Sequence, residues 1–93
     1  MILCNLTETA ELVEIKSQTE KLNRIILFND DVNTFEWVIE CLMLYCQHDA
    51  IQAEQCATIV HYNGKCEVKT GSLNALKPIC ETLLEKGLSA EIN

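Results

Sequence analysis

Hydrophobic and polar positions along this chain switch between two periods, and the switches mark out six elements. Ile25-Ile26-Leu27-Phe28 is an unbroken apolar run. It predicts a strand over Asn23–Phe28 that is buried on both faces, because no polar residue interrupts it. Asn29-Asp30-Asp31 stops the run, since continuing it would bury charge. A helical pattern then opens over Thr34–Gln47. Phe35, Val38, Ile39, Leu42 and Cys46 form one stripe at helical spacing, and Trp37, Cys41 and Leu44 form a second. Asn33 reads as its N-cap, with Glu36 three residues on completing a capping box. A helix apolar on nearly all sides must be sandwiched or must line something.

The remaining elements follow by the same reasoning. Asp49 with Gln52 repeats the capping-box spacing and starts a helix over Ala50–His61, with Ala53, Cys56, Ala57 and Val60 on one face. Asn63-Gly64 ends it, because glycine accepts the left-handed conformation of a helix stop. Lys65–Thr70 alternates strictly between polar and less polar positions and predicts a half-buried strand. Ser72 caps a third helix over Leu73–Lys86, in which Pro78 removes one hydrogen bond and should bend the axis. Gly87 closes it, and Leu88, Ala90 and Ile92 alternate as a last short strand. The order β-α-α-β-α-β predicts an α+β fold, with three helices packed on a small three-stranded antiparallel sheet. Residues 1–22 read as a mobile tail, with weak alternation near Leu12–Ile15 suggesting an edge strand, and 23–93 as the single folded domain.

Composition narrows the classes of function. The 93 residues provide one modest core, and 48% of them are hydrophobic, which excludes a disordered chain. A formal net charge of −7 repels phosphate backbones and anionic lipid, so neither nucleic acid nor membrane is expected as a partner. Met1-Ile2-Leu3-Cys4 lacks the basic start and long apolar region of a signal peptide, and a cytoplasmic location is expected. The six cysteines, Cys4, Cys41, Cys46, Cys56, Cys66 and Cys80, contain no CxxC pair and fall mostly inside elements, as small packed hydrophobes in a reducing compartment do. A metal site from Cys41, Cys46, His48 and His61 would match no common zinc spacing, so no metal or cofactor is expected.

The chemistry-bearing residues point to binding rather than catalysis. Asp30 and Asp31 are neighbours on an extended segment and face opposite ways, which spoils them as a catalytic dyad. No phosphate-cradling loop exists among three isolated glycines. Asp31-Val32-Asn33 begins like a calcium loop, but Phe35 stands where the next ligand belongs. What remains is Asn29, Asp30 and Asp31 beside the start of an apolar helix, with His61 ending the next one. An amide oxygen, a carboxylate and a neutral imidazole nitrogen can together hold an ammonium group. The bland reading of the same residues is a capped strand, a turn and a polar helix end.

The words RIILFNDDVNTFEWVIECL and HYNGKC resemble the ClpS family, adaptors of the Clp ATPase–protease that deliver substrates by their N-terminal residue. Residues 23–93 are covered, and the two motifs, Asn29-Asp30-Asp31 and His61-Tyr62-Asn63-Gly64-Lys65, stand at the family's separation. The resemblance implies that Asn29 and His61 hold the substrate's α-amino group, with Asp30 assisting and Asp31 at the same site. It implies a pocket for the first side chain shaped by Asp31, Asn33, Phe35, Val38, Ala57 and Val60, with Leu88 as a further lining residue. The implied ligands are proteins beginning with Leu, Phe, Tyr or Trp. The implied partner is the N-terminal domain of a Clp ATPase of ClpA or ClpC type, docked through the third helix at Lys77 and Ser72. The adaptor itself would be a monomer and no enzyme.

Departures from the family pattern carry their own expectations. Asn33-Thr34-Phe35 replaces the usual Thr-Pro-Met. Ala57 stands where a bulky Met that gates the pocket is usual, which widens the pocket toward Ile or Val. Ser72 replaces an acidic docking residue. The alternative function is an interaction module like the ribosomal-stalk C-terminal domain, which has a related fold and would not need Asn29 and His61 together.

Overall fold

The computed structural model describes residues 22–93. The expected tail, and the edge strand near Leu12–Ile15, lie outside the described residues apart from the exposed Leu22. The elements run β1 (Asn23–Phe28), α1 (Phe35–Tyr45), α2 (Ala50–Asn63), β2 (Lys65–Gly71), α3 (Leu73–Glu85) and β3 (Ser89–Ile92). This is the β-α-α-β-α-β order, and most ends agree with the sequence reading within a residue or two.

β1 is the central strand of a three-stranded sheet ordered β2-β1-β3, and both pairings are antiparallel. That position explains its unbroken apolar run. Ile25, Ile26 and Leu27 are all buried, and Ile25 and Leu27 belong to the main core cluster. The β1–β2 register slips between Ile25 and Ile26, where one extra residue of β2 is accommodated. The core draws on every helix: Cys41, Leu42 and Cys46 from α1, Ala53 and Val60 from α2, and Leu76, Cys80 and Leu83 from α3. Leu42, Leu76 and Leu83 are almost completely buried, and each should lose about 2–5 kcal/mol on truncation to Ala.

Local capping accounts for the helix starts, with one correction. Thr34, not Asn33, is the N-cap of α1, and its Oγ1 accepts from Trp37 N–H at 3.0 Å. Both residues are good caps, but Asn33 is taken by partners elsewhere in the fold. The expected Asn33–Glu36 capping box is therefore not formed. Asp49 caps α2 by accepting from Gln52 N–H at 2.7 Å, and Ser72 caps α3 by accepting from Ala75 N–H at 3.2 Å. α1 stops at Tyr45 rather than Gln47. The chain reverses at Gln47, which adopts a left-handed φ of 62°, and His48 N–H returns to Leu42 O at 3.2 Å. α2 ends in Gly64, whose φ of 93° would strain any side chain. Pro78 lies inside α3 as predicted.

Among the described residues Cys41, Cys46, Cys56, Cys66 and Cys80 are free thiols, and Cys41, Cys46 and Cys80 are buried. Burial pushes the Cys46 thiol up to about 11, which makes it inert at neutral pH. Among the described residues no group of three His, Cys, Asp or Glu side chains could hold a metal ion. His48 and His61 occupy unlike places: His48 is buried, with Nε2 donating to Val68 O at 2.7 Å, while His61 is exposed. No helix among the described residues is long and apolar enough to cross a membrane.

Candidate functional site

Between the end of β1, the start of α1 and the last turns of α2 lies an open cavity of about 650 Å³. This is within the range of small-ligand pockets. Its lining brings together Asn29, Asp30, Asp31, Asn33, Phe35, Val38, Ala57, Val60 and His61. These residues come from segments about thirty positions apart in sequence. They converge because the Asn29 N–H donates to Gly64 O at 2.9 Å, one residue beyond the end of α2. That main-chain bond brings the strand end carrying Asn29 to the helix end carrying His61.

One wall is apolar. Ala57 and Val60 are buried, Val38 is half-buried, and Phe35 is 39% exposed. The other wall is polar, with Asn29, Asp31 and His61 all exposed. This explains why α1 is apolar on so many sides. Cys41 and Leu42 face the core, Phe35 and Val38 face the cavity, and Leu44 is left largely in solvent.

The two carboxylates of the junction differ sharply. Asp30 Oδ1 accepts from Val32 N–H and Asn33 N–H, both at 3.0 Å. Asn33 Nδ2 donates to both oxygens, at 3.1 and 2.9 Å, and Ser89 Oγ donates to Oδ2 at 3.2 Å. Asn33 Nδ2 also donates to Gly87 O at 2.8 Å. Burial pulls the Asp30 pKa upward, but these hydrogen bonds outweigh it and hold the carboxyl below its ordinary value. Asp30 is thus engaged inside the protein, as a clamp tying the junction to the start of β3. Asp31 remains exposed at the cavity.

Leu88 stands apart from the other expected lining residues. It belongs to the core cluster at 4% exposure and reaches only a narrow cleft of about 20 Å³ next to Asn29, Val38 and Val60. Gly87, just before it, turns the chain out of α3 with a left-handed φ of 92°. Lys77 and Ser72 lie on the first turns of α3 and do not line the cavity.

Three lining residues escaped the sequence reading: Thr34, Thr58 and Tyr62. Thr58 and Tyr62 lie one helical turn apart and next to Ala57 and His61, so the helical period carried a signal for them. The Tyr62 ring meets the His61 ring edge-on, with centroids 4.9 Å apart and planes at 80°. Ser89 carried no signal. It is 59 positions from the carboxylate it bonds.

Comparison with known proteins bears on this site. A family model described as ATP-dependent Clp protease adaptor protein ClpS matches residues 18–91. The ATP-dependent Clp protease adapter protein ClpS of Campylobacter jejuni (strain RM1221) is 37% identical over 57 residues, covering 61% of this chain and 59% of that protein. Its namesake in Shewanella halifaxensis is 33% identical over 61 residues, covering 66% and 60%. The matched stretch therefore spans less than two thirds of the length of these relatives. Among solved structures, Agrobacterium tumefaciens ClpS2 bound to L-phenylalaninamide superposes with a TM-score of 0.75 over 78% of this chain and 95% of that one. At 18% identity that likeness is one of fold.

Proposed function

Since this chain belongs to the ClpS family of ATP-dependent Clp protease adaptor proteins, we propose that it binds the N-terminal residue of substrate proteins in the cavity described above. It then hands them to a Clp ATPase. The observation that carries this reading is the shared lining of one cavity by Asn29, Asp31 and His61 on one side and Phe35, Val38, Ala57 and Val60 on the other. A free chain end offers an ammonium group and an apolar side chain at once, and the cavity offers an acceptor set for one and an apolar wall for the other.

The Asn29 amide oxygen and a neutral His61 nitrogen accept from the ammonium group, and Asp31 supplies the opposing charge. Asp30 acts indirectly, by holding the loop that presents its neighbours. Burial of a Leu, Phe, Tyr or Trp side chain in the cavity contributes roughly 1.5–3 kcal/mol. Discrimination against blocked or internal sequences comes from the acceptors, because an acetylated end lacks the charge and two of the donors. The chain performs no chemistry of its own in this reading and needs no cofactor. Delivery uses α3, with Lys77 and Ser72 at the ATPase interface, and takes place in the cytoplasm. The solved relative bound to an amino acid amide supports the first half of this reading, and the family supports the second.

The test is binding of a fluorescent peptide beginning with Leu, measured by anisotropy beside its N-acetylated form. Binding of the free form alone is expected. Asn29→Ala and His61→Ala should each weaken it by about 1–3 kcal/mol, roughly 5- to 150-fold. Equal binding of both forms, or of neither, rejects the reading.

A further inference from the structure

α2 buries Ala53, Ala57 and Val60 and leaves a second set of apolar side chains in solvent. Ile51 and Ile59 are 69% and 40% exposed. They stand about two turns apart on the helix. Between them runs a shallow groove of about 410 Å³, lined by Ile51, Glu54, Gln55, Thr58 and Ile59. Thr58 lines both this groove and the cavity described above, so the two hollows meet at that residue. We propose that the groove is a subsite for the second and third residues of the substrate, and that it favours apolar side chains there. The proposal rests on the reading of the cavity as the seat of the first residue.

A bound first residue continues into a polypeptide that must leave the cavity, and the groove begins where the cavity ends. From Thr58 back to Ile51 the helix rises about 10 Å. That is the reach of about three extended residues. A chain leaving past Thr58 therefore carries its next side chains over Ile59 and then Ile51. The main-chain groups of α2 are bonded within the helix, and Thr58 Oγ1 already donates to Glu54 O at 2.8 Å. The groove thus offers side-chain surface rather than main-chain pairing. Its contribution is a graded preference added to the strict requirement for a free amino group. A second copy of the chain is a poorer occupant, because it would bring another net charge of −7 against Glu54.

The experiment is anisotropy on the full chain with two fluorescent peptides, one beginning Leu-Ile-Ile and one Leu-Ser-Ser, identical from the fourth residue on. The Leu-Ile-Ile peptide is expected to bind about five- to tenfold tighter, as partial burial of apolar side chains gives. Ile51→Ser and Ile59→Ser should each narrow that gap by weakening the Leu-Ile-Ile peptide. Leu84→Ser, an equally exposed apolar position on α3, should keep it. Equal affinities for the two peptides overturn the proposal and leave the reading of the first residue standing, whereas binding of neither removes both. If Ile51→Ser leaves the gap intact but alters sedimentation, or binding to the N-terminal domain of a Clp ATPase, the groove belongs to another occupant and the proposal falls. The two peptides on the parent chain decide the matter even if a serine variant fails to fold.

Discussion

Ser89 Oγ donates to Asp30 Oδ2 at 3.2 Å, joining the first residue of β3 to the segment that leaves β1. Through this contact, and the Asn33 bond to Gly87 O, the polar wall of the cavity is held by the segment that follows α3. Asp30 should therefore matter to the fold and Asp31 to the ligand. Urea denaturation at pH 7 should show Asp30→Ala destabilised by about 1–3 kcal/mol, and Asp31→Ala within about 0.5 kcal/mol of the parent. Peptide titration should show Asp31→Asn weakened several-fold, with its stability unchanged.

The same carboxylate sets a dependence on pH. Its folded pKa lies below the ordinary value of 3.8, so its contribution to stability is complete above that value and is lost as pH falls through the lower, folded one. Denaturation midpoints of the parent and Asp30→Asn should thus differ most near neutrality. The gap should narrow below about pH 4, where protonation removes the advantage of the charge. A gap that stays constant down to pH 2 would show that the charge on Asp30 does not stabilise the fold.

Ala57 forms part of the apolar wall of the cavity. It is buried at 3% exposure, and Phe35, at 39%, remains partly in solvent on the same cavity. Peptides starting with Ile or Val should bind within about tenfold of the Leu peptide, because the missing bulk leaves room for a branch at Cβ. Ala57→Met should restore discrimination against them. A hundredfold preference of the parent for Leu over Ile would reject this reading of the wall.

The exchange of roles between Asn33 and Thr34 can be measured directly. Thr34→Ala removes a single cap bond and should cost about 1 kcal/mol. Asn33→Ala removes bonds to Asp30 and to Gly87 O, and should cost more while also lowering affinity for a Leu peptide. Thermal unfolding and anisotropy on the two variants check both halves.

Most of the fold was legible because its signals are local. Ile25 to Leu27 read as a strand buried on both faces once Asn29-Asp30-Asp31 closed the run, although the order of the strands was not legible. Asp49 and Ser72 announce helix starts through side-chain oxygens that accept a first-turn N–H, and Gly64 a helix end through its positive φ. The misread cap shows where local signals stop. Asn33 and Thr34 are both acceptable caps, and the choice was made by Gly87, a residue 54 positions away. Leu88 alternates correctly for a strand, yet it belongs to the core cluster and reaches only the narrow cleft. His48 is polar and lies between two helices, yet it is buried, with its Nε2 N–H donating to Val68 O at 2.7 Å. The gathering of Asn29, Asp31 and His61 round one cavity was anticipated by the two motifs. The separate duties of Asp30 and Asp31 emerge only once the donors around each are seen.

The hydrogen bond from Asn29 N–H to Gly64 O has a consequence for how such a cavity can change. It is made by peptide atoms, so any amino acid with an N–H at position 29 keeps it. Selectivity can drift, or be redesigned, by single substitutions at the mouth while the frame stays in place. The molecule is in effect a socket whose contacts are exchangeable and whose housing is not.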